Sequence, residues 1–131
     1  MKNLKNKKGF TLIELIVVIA ILGILALFLV PQFQGYSQDA KNQVAQANAR
    51  TLWTAAKAAQ TKSEYDENIK DLSTLRAEAE TKLGNSFTIT NDNITLKSGT
   101  LEVIEVNYET NGVACKFDGK AFSGACNPSS K

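Results

Sequence analysis

The chain has 131 residues, enough for one modest domain beside whatever its N-terminal segment does. Its 15 Lys and Arg stand against 13 Asp and Glu, but Lys2, Lys5, Lys7 and Lys8 crowd the first nine positions, leaving 11 basic against 13 acidic residues beyond them. That remainder lacks the basic stripe and interleaved aromatics of a nucleic-acid surface, and the absence of histidine removes the commonest general base and metal ligand.

From Leu15 to Val30 every residue is apolar or glycine, and with Leu12, Ile13 and Glu14 the run is just long enough for a single membrane crossing, which takes about 20 residues. The lysines ahead of it predict an N-terminus in the cytoplasm and the rest of the chain on the far side. One carboxylate, Glu14, sits at the start of this run. Thr11-Leu12-Ile13-Glu14 fits the S/T-x-x-E capping box, which accounts for the residue type but not for placing an acid in hydrocarbon. A secretory signal peptide would show a shorter core and an A-x-A-like site after it, and a lipoprotein would need a cysteine nearby. A plain single-pass anchor needs neither Gly9 nor Glu14.

Pro31 ends the apolar run and should bend the helix there, since a proline in a helix interior loses a hydrogen bond and crowds the preceding turn. Helix-favouring sequence resumes at once and continues to about Thr61. Ala40, Val44, Ala47, Thr51, Leu52, Ala55 and Ala59 recur at three- and four-residue steps and predict the buried stripe, with Lys41, Gln46, Asn48, Arg50 and Lys57 on the opposite side. After a polar connection at 62–68, Asp71 is placed to cap a short helix carrying Leu72, Leu75, Ala79 and Leu83, with Gly84 as its stop.

The period then shortens to two. "FTIT" and "ITLK" flank Asn91-Asp92-Asn93, and "TLEVIEVNYE" meets "VACKF" across Thr110-Asn111-Gly112, predicting two hairpins. Ile104, Val106 and Tyr108 share one face; Leu101 and Val103 are out of phase with them, which predicts a bulge near Val103. The tail from Asp118 reads as loop. Cys115 and Cys126, both beyond the membrane, read as one disulfide with a single possible connectivity. The fold class is α+β: a long N-terminal α-helix, apolar then amphipathic, packed on a small antiparallel sheet of about four strands and closed by a C-terminal disulfide loop. No nucleophile elbow, phosphate-cradling glycine loop or metal-ligand cluster is present, so neither catalysis nor a cofactor is expected. Asn93-Ile94-Thr95 matches a glycosylation sequon, a triplet common by chance.

Lys7-Lys8-Gly9-Phe10-Thr11-Leu12-Ile13-Glu14 resembles the class III signal peptide of type IV prepilins and type II secretion pseudopilins. The acid at the fifth position after Gly9, the proline at the twenty-second and the short basic leader all match that pattern. The resemblance implies cleavage between Gly9 and Phe10 by a prepilin peptidase on the cytoplasmic side, N-methylation of Phe10, and assembly into a helical filament of like chains. It further implies that the Phe10 amine of one subunit neutralises Glu14 of a neighbour, and that the stretch bracketed by Gly23 and Pro31 loses helical order on assembly. Cys115 and Cys126 resemble the cysteines that bound the C-terminal region of type IV pilins.

The organisation that follows is a leader at 1–9, a membrane and filament-core helix half at 10–37, and a globular head at 38–131. The expected function is that of a structural subunit, a major pilin, held in the cytoplasmic membrane as a precursor and then exported into an extracellular pilus. Its partners are copies of itself, the peptidase, the assembly machinery and the membrane, with no small-molecule substrate and nucleic acid disfavoured. Adhesion, twitching motility, aggregation and DNA uptake all stay open. The alternatives are a pseudopilin of a type II secretion or competence system and, from another class, a membrane-tethered extracytoplasmic domain.

Overall fold

The computed structural model describes residues 8–84 and 87–127; Lys2, Lys5 and Lys7 of the basic leader lie outside them. Two helices and a four-stranded sheet follow in chain order. They are α1 (Leu12–Ser63), α2 (Leu72–Leu83), a 3-10 turn (Asn91–Asn93), β1 (Ile94–Leu96), β2 (Val103–Thr110), β3 (Val113–Phe117) and β4 (Phe122–Gly124). Residues 1–37 and 38–131 form separate compact units.

In the first unit α1 is helical through Gly23 and Pro31. Its most apolar window has a mean hydropathy of 3.1 and none of it is buried. Side chains from Leu12 to Val30 point outward all round the helix, so this unit holds no core of its own.

The second unit packs the later part of α1 on an antiparallel meander in the order β1-β2-β3-β4. The α1 face that is buried is Ala45, Ala49, Leu52, Ala55, Ala56 and Ala59. This corrects the stripe read from the sequence. Leu52, Ala55 and Ala59 belong to it, but Ala40, Val44, Ala47 and Thr51 are exposed. Alanine on almost every side of the helix leaves little contrast for locating the apolar face. The sheet supplies Val103, Val106, Val113, Cys115 and Phe117, and α2 adds Leu75 and Ala79.

The ends of α2 fall where their residues demand. The Asp71 carboxylate accepts the Thr74 N–H at 2.8 Å while the Thr74 hydroxyl accepts the Asp71 N–H at 3.1 Å, a reciprocal capping box. Gly84 closes the helix at φ 62, ψ 49, its N–H donating to the Glu80 and Thr81 carbonyls. The Ser73 hydroxyl, followed by the Thr74 N–H and hydroxyl, draws the Asp71 pKa down to about 2, because each donor favours the charged carboxylate.

The sheet departs from the sequence reading in two places. "FTIT" is not a strand: the Ile89 N–H donates to the Glu80 carboxylate, and both the N–H and the hydroxyl of Thr90 donate to the Asn93 side-chain oxygen, so neither enters a ladder. The fourth strand is instead β4, inside the tail read as loop, where Phe117 pairs with Phe122 and Cys115 with Gly124. The bulge lies where it was expected. Thr95 pairs with Glu105 and Leu96 with Val103, leaving Ile104 as the extra residue, so Val103 and Val106 both point inward and Ile104 stands 43% exposed. The Val103 N–H is taken by Gln60 Oε1 of α1 at 2.8 Å. The turn between β2 and β3 has Asn111 and Gly112 at φ 51 and 75, the doubly left-handed geometry that Asn-Gly hairpins favour.

Candidate assembly site

The residues singled out in the motif lie together at the start of α1. The Thr11 N–H donates to Glu14 Oε2 at 2.9 Å and the Glu14 N–H donates to the Thr11 hydroxyl at 3.3 Å, so the capping box is formed within one chain. Glu14 Oε1 has no partner among the described residues, which leaves the acid one oxygen free while the other caps the helix. Phe10 is 93% exposed, and with Ile13, Glu14, Val17 and Val18 it borders an open depression of about 650 Å³ on this single helix. Gly9 lies ahead of the helix, and a Cβ built there meets nothing within 4 Å. The fold of the chain therefore places no demand for glycine at that position.

Gly23 likewise faces open space. A glycine inside a helix costs roughly 0.5–1 kcal/mol relative to alanine, and no neighbour within the chain offsets it. At Pro31 the missing N–H leaves the Leu27 carbonyl without its helical donor. The two residues mark the intrinsically weakest part of the apolar helix.

In the head the tail is held both by α1 and by the sheet, where β4 pairs with β3. Cys115 and Cys126 form a disulfide across a Cα separation of 5.2 Å, and both are fully buried. Gln46 Nε2 donates to the Cys126 carbonyl at 2.7 Å. Trp53 lies against the turn between β3 and β4 so closely that a Cβ on Gly119 would fall 2.5 Å from its ring; Gly119 also has φ 89, a left-handed conformation that disfavours any other residue. The Asp118 carboxylate accepts the Lys120 and Ala121 N–H groups at 2.8 Å each; the Ala121 contact, then that of Lys120, lowers its pKa. Sequence reasoning missed Gln46, Trp53 and Gly119 and assigned Gln46 to the solvent side. The available signal was a lone tryptophan on a helix whose neighbours at 46, 50 and 57 share its side.

Asn93 of the sequon is a structural residue. Its side-chain oxygen accepts from Thr90, and its Nδ2 donates to the Asn107 carbonyl at 2.7 Å. Its amide is thereby committed on both atoms.

Comparison with known proteins places the chain beside one family model and three relatives. The family model described as the prokaryotic N-terminal methylation motif matches residues 4–30. A fimbrial protein of Pseudomonas aeruginosa is 46% identical over 56 residues, which are 43% of this chain and 36% of that protein. A fimbrial protein of Moraxella nonliquefaciens is 32% identical over 117 residues, covering 89% of this chain and 76% of that protein. The type II secretion system core protein G of Vibrio cholerae is 49% identical over 45 residues, 34% of this chain and 31% of that protein. The match thus spans only about a third of the Pseudomonas and Vibrio relatives, but most of the Moraxella one. No solved structure matches the chain.

Proposed function

The chain belongs to the type IV pilin family, and from that premise we propose that it is the major structural subunit of a type IV pilus, polymerising through its apolar N-terminal helix. The observation that carries the reading is the combination of a formed Thr11–Glu14 cap with an N-terminal part of α1, residues 12–30, that is apolar or glycine at every position but Glu14 and buries nothing in its own chain. A helix apolar all round needs lipid or other apolar helices about it. In the precursor the surroundings are the cytoplasmic membrane, with the N-terminus inside; after export they are the helices of neighbouring subunits in an extracellular filament.

Processing supplies the missing partner of Glu14. Cleavage after Gly9, in the stretch ahead of α1, exposes the Phe10 α-amine, which is then N-methylated and stays cationic. An unpaired carboxylate in hydrocarbon costs at least ~2.5 kcal/mol on insertion scales, so the free Oε1 of Glu14 favours a position beside a neighbour's Phe10 amine. The Oε2 cap stays in place, so capping and pairing are compatible uses of one side chain. Gly23 and Pro31 give the apolar helix a segment that melts when the subunits pack. The role of the chain is structural and not enzymatic.

The similarity to a secretion core protein makes a pseudopilin the second reading. The head favours the pilus. The one acid of the tail after Glu109 is Asp118, and its Oδ1 already accepts two N–H groups of its own turn. The pseudopilin resemblance implies a calcium-binding C-terminal loop rich in acids, and such a site needs several oxygen ligands.

The test is to shear filaments from the native cells and analyse them by mass spectrometry. The expected result is this chain as the dominant component, starting at N-methylated Phe10. An intact N-terminus, or one beyond Val30, excludes the pilin reading. Gly9→Val should leave an uncleaved membrane protein with an unchanged head, since the site has room for a larger side chain.

A further inference from the structure

Two cations of the head stand on aromatic rings and pair with no acid. The Arg50 guanidinium lies 4.9 Å from the Phe122 ring centre and Lys57 Nζ lies 5.0 Å from that of Trp53. Neither makes an ion pair among the described residues; Lys57 Nζ donates only to Gln60 Oε1, at 3.0 Å. The rings beneath them are themselves packed, Trp53 edge-on to Phe117 and Phe117 stacked on Phe122. The positive charges are therefore held in place, with less side-chain entropy to lose on binding than free Arg and Lys have. They are seven residues apart, two helical turns or about 10 Å along one side of α1.

The next step of seven along the chain reaches Glu64, just past the end of α1. Glu64 and Glu67 are exposed and without a cation partner among the described residues, while Asp66 between them is paired with Lys62. Tyr65, flanked by these acids, is 76% exposed. The head thus carries an unpaired basic ledge at one level and an unpaired acidic loop with a bare aromatic at another. None of the ion pairs among the described residues joins these cations to these acids. Between copies displaced along the helix axis they can meet, and a contact between two different surfaces of like chains is heterologous, the kind that propagates as a filament.

We propose that the Arg50–Lys57 ledge is a docking surface for the Glu64–Glu67 loop of another copy of this chain, fixing the axial offset between neighbouring heads. The proposal rests on the filament reading above. Opposed charges of this kind set register and reject wrong alignments more than they add raw affinity.

The experiment uses the full-length chain in its own cells, comparing sheared filaments with the membrane pool. Arg50→Glu with Lys57→Glu should lower filament yield at least about tenfold at an unchanged membrane pool, since like charges would then face each other. Glu64→Lys with Glu67→Lys should do the same. All four changes together should restore filaments, which a folding defect at Arg50 or Lys57 would not allow. Normal filaments from both reversed pairs overturn the inference and leave the pilin reading intact. Loss without rescue overturns it too, assigning the cations to packing. Retention of DNA by wild-type filaments, abolished by Arg50→Glu with Lys57→Glu while assembly persists, overturns it in favour of a nucleic-acid surface. If the wild-type chain enters no filament, the pilin reading falls first and the inference with it.

Discussion

The two units of this chain satisfy their side chains in opposite ways. In the head, Leu52, Leu75, Val103 and Val106 are buried by their own chain and Gln60 of α1 accepts the Val103 N–H, while Arg76 Nε and Asn107 Oδ1 are the buried side-chain atoms left without a partner among the described residues. In the N-terminal unit, Phe10 and the side chains from Leu12 to Val30 are exposed, and Glu14 keeps an oxygen without a partner among the described residues. One unit builds its apolar core from its own chain; the other finds apolar contacts only in its surroundings. The comparison teaches that substitutions at 10–31 should act on assembly and spare the fold, and substitutions in the head core should do the reverse.

Glu14→Gln tests that division most severely. Glutamine serves in a capping box, so the helix start should survive. In the filament the change would leave the Phe10 amine buried without a counter-ion, and breaking a buried ion pair typically costs ~3–5 kcal/mol. Filament yield should fall on the order of a hundredfold or more at an unchanged membrane pool, each factor of ten being about 1.4 kcal/mol. Normal filament numbers from the mutant would falsify the intersubunit role and leave capping as the whole account.

The converse test removes the disulfide. Cys115→Ser with Cys126→Ser should destabilise the head by about 2–3 kcal/mol on the chain-entropy argument for a short loop. At roughly 4–8 °C per kcal/mol for a domain of this size, the melting temperature in detergent should fall by about 10 °C or more. The helical circular dichroism of the apolar segment should persist through that transition. A single melting step that removes both signals together would show that the units are not independent.

What the sequence disclosed follows the reach of each interaction. Asp71, Gly84 and the Asn111-Gly112 turn act through neighbours a few residues away, so α2 and the main hairpin could be read directly. The motif from Gly9 to Glu14 is equally local. The phase of α1 could not be read, because alanines surround the helix and only the sheet decides which of them are covered. Nor could β4, three residues long, which exists through its pairing with β3. "FTIT" has strand-forming residues but loses its donors to Glu80 and Asn93. Gln46 and Trp53 hold the tail across 80 and 66 residues of sequence, respectively, which no local pattern encodes.

A subtler probe of the apolar unit is Gly23→Ala. Alanine should stabilise the isolated helix by roughly 0.5–1 kcal/mol, and the site has space for its methyl group. If this segment must melt on assembly, the same energy opposes packing, and filament yield should drop by a few-fold. Yield at or above the wild-type level would mean that the stretch from Gly23 to Pro31 stays helical in the filament.

The smallest expected effect belongs to the head and depends on pH. The Asp71 carboxylate is held at a pKa of about 2, against 3.8 for the free group, by Ser73 and Thr74. A carboxylate with a depressed folded pKa contributes stability that is fully present above its unfolded value and is lost as pH falls through the folded one. The cap should therefore weaken between about pH 4 and pH 2, and the head should become easier to unfold across that window. Asp118, lowered by the N–H groups of Ala121 and Lys120, adds in the same direction. Asp71→Asn separates the two: asparagine is a good N-cap residue and does not titrate, so the mutant should keep most of the stability at pH 7. Its urea midpoint should fall less steeply than that of the wild type between pH 4 and pH 2. Parallel curves for the two proteins would remove Asp71 as a source of the acid sensitivity and leave it to Asp118 and to Asp66, whose pKa is lowered first by the N–H and then by the side chain of Asn68.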